Sequence, residues 1–164
     1  MQVAGRVFET IPLLLEDRLV LIALRPALSD DFEYCRRIYF AEMEWIIEKL
    51  QLNRASQTAT FRQYWDPTQV RIITLDGADV GWLQTIAQHT EVFLAQLFVD
   101  RDFQRRGIGT EVMRRFMSAA QECGQAIRLN VVKINPCVRL YERLGFRVIE
   151  EDDRKFYMKR DPDP

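Results

Sequence analysis

The segment QRRGIGT, residues 104–110, is the stretch of this sequence that decides how the fold is interpreted. It follows a β-rich apolar run at 92–99 and opens a helical pattern, in which apolar residues recur at three- and four-residue spacing up to Cys123. Two glycines at a helix start let the backbone approach a ligand closely and leave N–H groups without intrahelical partners. The helix dipole adds positive potential there. The segment therefore predicts a site for an anionic diphosphate, with Arg105, Arg106 and Arg101 near enough in sequence to add charge.

Glycine loops occur in several nucleotide-binding folds, so the segment has to be compared with each. A Rossmann fingerprint requires a third glycine at the sixth position of the motif, and Val112 stands there. A P-loop requires Gly-Lys-Ser/Thr, and the sequence contains no such triplet. Taken alone, the segment also fits a helix start whose glycines serve packing only.

The surrounding pattern predicts a mixed α/β fold with a strand-loop-helix unit at its centre. Residues 1–17 carry little pattern. The predicted elements are, in chain order, a strand at 18–25, two helices between Ser29 and Trp65 with a break near 53–57, strands at 70–75, 80–86 and 92–99, a helix ending at Gly124, a strand at 127–131, a short helix from Asn135 to Leu144, and a hairpin of 146–149 with 155–158.

Length and composition predict one soluble domain over residues 1–164, because the chain is of ordinary single-domain length and 48% of it is hydrophobic. Lysine and arginine total 23 against 24 acidic residues, so nucleic acid is not an expected partner. No signal-peptide pattern or bilayer-length apolar run is present. We expect a cytoplasmic protein that does not bind a membrane.

Cysteine and histidine usage argues against a metal centre. The three cysteines contain no Cys-x-x-Cys pair, and His89 is the only histidine. We therefore expect no metal ion and no disulfide framework.

Two motifs taken together resemble the GNAT superfamily of N-acetyltransferases. Gln-x-x-Gly-x-Gly after a β-run is similar to the family's acyl-CoA pyrophosphate motif, and residues 135–146 (NPCVRLYERLGF) are similar to its second cofactor segment. The resemblance covers about 92–158, with a weaker match in strand order from Leu19 onward. Cys137 stands where alanine is common in the family. The resemblance implies a GNAT-like sheet, mixed and mostly antiparallel, flanked by helices and splayed at the cofactor-binding strand.

The resemblance also implies acetyl-CoA as co-substrate and assigns residues to it. The pyrophosphate would be bound by the loop, the backbone of the preceding strand would bind the pantetheine arm and the thioester carbonyl, and two asparagines would bind the pantetheine. These cofactor residues are Leu97, Phe98, Val99, Gln104, Arg105, Arg106, Gly107, Ile108, Gly109, Thr110, Asn130 and Asn135.

Catalytic groups follow from the same resemblance. Tyr141 matches the usual proton donor to the coenzyme thiolate, and a phenol with a pKa of about 10 is protonated at neutral pH. Glu91, which starts the strand before the loop, is the first candidate for the general base. Gln96 could instead position the amine or a water, and His89 could act as the base.

The acceptor is expected to lie against the first helices, where Glu42, Trp45 and Gln96 are the candidate substrate-binding residues. Carboxylates on that helix would attract a cationic amine, although a solvated helix surface explains the same charges. The sequence does not distinguish a small-molecule amine from a protein amine, and it leaves a homodimer open.

The leading hypothesis is thus an N-acetyltransferase that moves an acetyl group from acetyl-CoA to a primary amine by direct attack. One alternative is an acyl-CoA-binding sensor that has lost productive transfer. The other is an interaction domain on the same fold, in which Gly107 and Gly109 serve the structure only.

Overall fold

The computed structural model describes residues 11–15 and 18–164. Its strands and helices are β1 (Ile11–Leu15), β2 (Arg18–Pro26), α1 (Phe32–Lys49), α2 (Arg54–Tyr64), β3 (Val70–Leu75), β4 (Ala78–Ala87), β5 (Glu91–Val99), α3 (Ile108–Glu122), β6 (Ala126–Val132), α4 (Val138–Arg143), β7 (Arg147–Glu151) and β8 (Lys155–Arg160). The sequence predicted each of these except β1, which falls in the stretch that carried little pattern. Residues 1–10 and 16–17 of that stretch lie outside the described residues.

The described chain divides into two compact units. The N-terminal unit holds the described residues up to Gln84 together with Gln96–Gly109, and the C-terminal unit holds Thr85–Ala95 together with Thr110–Pro164. The single domain predicted from length and composition stays a prediction.

The N-terminal unit contains β1, β2, β3 and β4 in that order, each antiparallel to the next. Ile72 of β3 stands opposite Trp82 of β4, and both side chains are fully buried. They belong to a core that α1 and α2 cover with Ile38, Tyr39 and Phe61. Apolar residues of the two helices and of the strands thus bury one another, as the sequence pattern predicted.

The boundaries of α1 and α2 follow from local hydrogen bonds. A 3-10 turn, Ser29–Asp31, comes before α1. Asp31 accepts a hydrogen bond from the Leu28 N–H at 2.8 Å and pairs with Arg25, also at 2.8 Å. The α2 helix begins after Asn53, whose side-chain oxygen accepts from the Ser56 N–H.

In the C-terminal unit, β5 pairs with β6 in parallel, and β6–β8 and β8–β7 pair antiparallel. All other strand pairs given above are antiparallel, which confirms the predicted mixed, mostly antiparallel α/β class. The parallel ladder joins only residues 91–94 to 126–129, whereas β5 continues to Val99 and β6 to Val132. The ladder thus ends before either strand does, as the predicted splay requires.

The short helix α4 begins later than the sequence predicted. The Asn135 side chain accepts from the Cys137 N–H at 2.9 Å, and the Asn135 carbonyl accepts from the Val138 N–H at 3.1 Å. Residues 135–137 therefore form a turn, and the helix starts at Val138. It ends where predicted, because Gly145 adopts a positive φ of 85°.

Candidate active site

The end of β5 carries the three residues predicted to bind the pantetheine arm through their backbone. The ring of Phe98 packs inside the N-terminal unit, with its centroid 5.4 Å from that of Trp82 and 5.6 Å from that of Tyr39. Leu97 and Val99 are half-buried. The Phe98 side chain therefore serves packing, and the part of Phe98 that could contact a ligand is its backbone.

Gly81 shapes this end of β5 and was missed by sequence reasoning. A Cβ atom at Gly81 would lie 2.3 Å from the carbonyl oxygen of Phe98 and 3.0 Å from the Cα of Val99. The β3–β4 register shifts just before Gly81, so that Val80 bulges out, and the Val80 carbonyl accepts from the Asp100 N–H at 2.8 Å. A glycine inside a strand is the signal that could have revealed this close backbone approach.

The backbone of the glycine loop, residues 104–109, departs from regular helix and strand geometry. Arg105 has a φ of 62° and Gly107 a φ of 81°, so two nearby residues are left-handed. Turns of this kind direct successive N–H groups into a concave surface that holds an anion. The loop leads into α3, whose first N–H groups have no intrahelical partner. The space beside Gly107 is open, since no heavy atom lies within 4 Å of an added Cβ.

Packing does not explain the second glycine of the loop. At Gly109 an added Cβ would meet only the Val99 Cγ2 atom, at 3.7 Å, which is an ordinary contact. Thr110 follows in the first turn of α3 and is half-buried, whereas the Ile108 side chain is buried. The geometry thus weakens the alternative in which Gly109 serves the structure only.

Gln104 is fixed by two hydrogen bonds inside the N-terminal unit. Its side-chain Nε2 donates to the Val99 carbonyl at 2.8 Å and to the Glu42 Oε2 atom at 2.8 Å. These bonds bring together three predicted site residues from β5, the loop and α1.

The three arginines near the loop differ in whether their charge is already paired within the chain. Arg101 donates to the Ala41 carbonyl at 2.9 Å, and its Nε lies 3.5 Å from the Glu42 Oε1 atom. Arg105 and Arg106 are exposed, and Arg106 lies over the Phe103 ring at 5.6 Å. Within residues 11–15 and 18–164, neither Arg105 nor Arg106 forms an ion pair. Both are therefore better placed than Arg101 to contact an anionic ligand.

In the C-terminal unit, Asn130 and Asn135 have different surroundings. Asn130 is exposed on β6, where it stands opposite Tyr157 of β8. Asn135 closes the turn before α4 through its bond to the Cys137 N–H. Asn130 therefore has the more accessible amide for a ligand.

Tyr141 lies on α4 with its ring edge-on to Phe146, at 5.8 Å between centroids. Burial raises the pKa of its phenol above the ordinary 10, and the neighbouring Cys137 adds to the effect. The phenol therefore stays protonated at any pH near neutral, which a proton donor requires. The raised pKa also makes the phenol a weaker proton donor.

Glu91 is held by cations of neighbouring strands, and this arrangement does not favour the predicted base role. Its carboxylate lies 2.8 Å from the Lys159 Nζ and 3.5 Å from the Arg128 Nη1. The hydrogen bond from Lys159, with a smaller contribution from Arg128, lowers the pKa of Glu91 below its usual value. A lower pKa makes the carboxylate a poorer proton acceptor. His89, the other candidate base, is exposed in the turn between β4 and β5.

The predicted acceptor residues have different surroundings in the N-terminal unit. Trp45 is 41% exposed on α1, and Gln96 is half-buried in β5. Both oxygens of Glu42 face groups of the chain itself, namely Gln104 and Arg101. A cationic amine at Glu42 would have to compete with these groups, so the acceptor role of Glu42 gains no support.

The described residues contain neither a candidate metal centre nor a candidate membrane-spanning helix. No group of three or more His, Cys, Asp or Glu side chains in the described part of the chain could hold a metal ion. The described helices are all too short or too polar to cross a bilayer.

Comparison with known proteins decides the family. The protein-family model of the acetyltransferase (GNAT) domain matches residues 44–158, which is most of the chain. The chain belongs to the GNAT acetyltransferase family. This GNAT protein is 34% identical over 70 residues to an uncharacterised N-acetyltransferase of Methanocaldococcus jannaschii. That match covers 42% of the chain and 31% of the relative, so the chain spans less than a third of it.

Solved structures agree with this GNAT assignment at the level of the fold. PaiA N-acetyltransferase from Thermoplasma acidophilum, in complex with coenzyme A, has a TM-score of 0.71 at 15% identity, covering 85% of this chain and 98% of that one. The ribosomal-protein-S18-alanine N-acetyltransferase from Escherichia coli has a TM-score of 0.64 at 18% identity, covering 87% and 95%. These likenesses confirm the GNAT fold predicted from the two motifs.

Proposed function

We propose that this protein transfers the acetyl group of acetyl-CoA to a primary amine, by direct attack of the amine on the thioester. The observation that carries the proposal is the glycine loop, with two left-handed residues, open space beside Gly107 and a helix start behind it. Membership of the GNAT family and the coenzyme A complex of PaiA support the same ligand. The S18-alanine enzyme supports amines as the acceptor class.

The proposed reaction balances with the two substrates alone. The amine nitrogen forms a bond to the acetyl carbon while the carbon–sulfur bond breaks, and the electron pair leaves with sulfur. The nitrogen loses a proton and the thiolate gains one, giving an amide and free coenzyme A. Acetyl-CoA supplies the activated acetyl group. The chain has to bind and orient the two substrates and to protonate the departing thiolate.

The glycine loop would bind the anionic part of the coenzyme. The loop N–H groups and the positive end of α3 suit the pyrophosphate, and the exposed Arg105 and Arg106 add charge that nothing in the described chain neutralises. The backbone of Leu97, Phe98 and Val99 would bind the pantetheine arm and polarise the thioester carbonyl.

Three further residues are proposed to contact the pantetheine arm and to supply the proton. Asn130 and Asn135 offer amides for the arm, and Tyr141 holds its proton because burial raises its pKa. We assign no side chain as general base, because the ion-paired Glu91 is a poor one. Gln96 is proposed to orient the incoming amine or a water that takes its proton.

The test is a thiol-release assay with acetyl-CoA and a panel of polyamines, aminoglycosides, amino acids and peptide N-termini. Mass spectrometry would identify any acetylated amine, and reactions without amine or without protein are the controls. We expect amine-dependent thiol release for at least one acceptor class. Saturable acetyl-CoA binding with no transfer to any of them would overturn the transferase proposal and favour the sensor.

A further inference from the structure

We propose that Glu42 is a positioning residue that attaches α1 to the glycine loop and holds the loop in its coenzyme-binding shape. The inference rests on the proposed function, because only that proposal assigns acetyl-CoA to the loop. It gives Glu42 a role different from the acceptor binding that the sequence predicted.

One carboxylate oxygen of Glu42 acts directly on the residue that begins the loop. Glu42 Oε2 accepts from Gln104 Nε2 at 2.8 Å, and the same nitrogen donates to the Val99 carbonyl at 2.8 Å. The side chain of Gln104 therefore connects α1 to the end of β5. A hydrogen bond to an ionised acceptor is stronger than a neutral one, so the charge of Glu42 contributes to this connection.

The other oxygen faces Arg101 in the 3-10 turn before the loop. Glu42 Oε1 is buried without a hydrogen bond in the part of the chain described, but it lies 3.5 Å from the Arg101 Nε. Arg101 also donates to the carbonyl of Ala41, the neighbour of Glu42 on α1. An ion pair of Arg37 with Asp100, at 3.4 Å, adds a further link between α1 and the turn.

The loop has a physical need for such attachment. Arg105 follows Gln104 directly and has a left-handed backbone, which a residue with a side chain adopts only when its surroundings impose it. Gln104 is fixed from outside the loop, and Glu42 provides one of its two anchors. Loss of the Glu42 charge should therefore let the loop leave its anion-binding shape for part of the time, and the coenzyme affinity should fall accordingly.

The test compares Glu42→Gln with Glu33→Gln, a charge-matched control. Glu33 lies on the same helix but pairs with Arg36, also on α1. Calorimetry with acetyl-CoA should show about 10-fold weaker binding for Glu42→Gln and unchanged binding for Glu33→Gln. Steady-state kinetics should show a raised KM for acetyl-CoA, with kcat and the KM for the amine nearly unchanged.

A second readout needs no coenzyme. Hydrogen exchange of residues 101–109 in the free protein should be faster in Glu42→Gln than in the wild type, and unchanged in Glu33→Gln. If the wild type bound no acetyl-CoA, the proposed function would fail, and this exchange would still decide whether Glu42 holds the loop. Unchanged exchange in Glu42→Gln, or a raised KM for the amine alone, would overturn the positioning role.

A double-mutant cycle checks the link from the loop side. Gln104→Ala removes the same hydrogen bond, and its effect on loop exchange should be much smaller when Glu42→Ala is already present. Additive effects of the two substitutions would show that Glu42 and Gln104 act separately, which contradicts the proposal.

Discussion

The two ends of β5 are built from different chemistry. At the start, Glu91 is held by Lys159 at 2.8 Å and by Arg128 at 3.5 Å, in a surface cluster of charges. At the end, residues 97–99 carry no charge, and the Phe98 carbonyl meets the backbone of Gly81. A carboxylate near a motif, such as Glu91, is therefore weak evidence for catalysis until its partners are known. A glycine inside a strand, such as Gly81, is the better indicator of a close backbone approach.

The largest effect on stability is expected at Gly81, where the backbone of β4 lies close to the end of β5. Gly81→Ala puts a methyl group 2.3 Å from the Phe98 carbonyl oxygen, and neither backbone can yield easily. We expect the free energy of unfolding to fall by about 2–3 kcal/mol in urea titrations, and acetyl-CoA binding to weaken with it.

The control for this substitution is Gly77→Ala. Gly77 has a φ of 83° and no atom within 4 Å of an added Cβ, so alanine there strains only the local backbone. That strain costs about 1 kcal/mol and should leave coenzyme affinity unchanged. Equal destabilisation by the two substitutions would contradict the importance given to this end of β5.

The second effect separates the two predicted catalytic groups. Tyr141→Phe should lower kcat about 100-fold, because it removes the proton donor, while acetyl-CoA binding stays within twofold. Since the pKa of Tyr141 is raised, the wild-type pH–rate profile should show no loss of an acid below pH about 10.

Tyr64→Phe, at an exposed position of α2, is the matched control for Tyr141→Phe and should be silent. Unchanged kcat in Tyr141→Phe would remove Tyr141 from the acid role.

The third effect concerns the loop that follows β5. Gly109→Ala adds a methyl group that the protein itself can accommodate, 3.7 Å from Val99 Cγ2. The free energy of unfolding should stay the same or rise by up to about 1 kcal/mol, because alanine favours helices over glycine. Acetyl-CoA affinity should fall about 10-fold, since the coenzyme would need the space that the methyl group fills. Unchanged affinity would restore the alternative in which Gly109 is only structural.

The smallest effect is expected at the charged start of β5. The pKa of Glu91 is lowered from 4.5 in the folded protein. Its carboxylate therefore contributes stability above about pH 4.5, and this stability is lost as pH falls through the folded pKa. Glu91→Gln should therefore cost less than about 1 kcal/mol at pH 7 and almost nothing well below pH 4. Urea titrations at both pH values would measure this. Turnover should remain within twofold, and a 100-fold loss would reinstate Glu91 as the base.

The elements with strong local signals could be predicted from the sequence. Periodic apolar residues indicated α3, and Gly145 marked the end of α4. The sequence indicated only a break near 53–57, although α2 already begins at Arg54. The strand β1 could not be predicted, because Ile11–Leu15 is short and carries no alternation or flanking turn signal. The start of α4 was wrong because the Asn135 side chain closes a turn rather than capping the helix.

The candidate site was predictable only in part. The spacing of Gln104, Gly107 and Gly109 indicated the loop, since backbone shape depends on local residue types. The bond between Glu42 and Gln104 joins residues 62 positions apart, and no local pattern encodes such a contact. The partners of Glu91, Arg128 and Lys159, also lie far from it in sequence, so no local pattern indicated these ion pairs.

The central claim is that the glycine loop binds acetyl-CoA, and calorimetric titration of the wild-type protein tests it most directly. Acetyl-CoA is the ligand, and NADH and ATP are the controls for unspecific binding of nucleotides. We expect saturable binding of acetyl-CoA at one site and no binding of NADH. Absence of acetyl-CoA binding, or equal binding of all three, would contradict the assignment of residues 104–109 as a pyrophosphate loop.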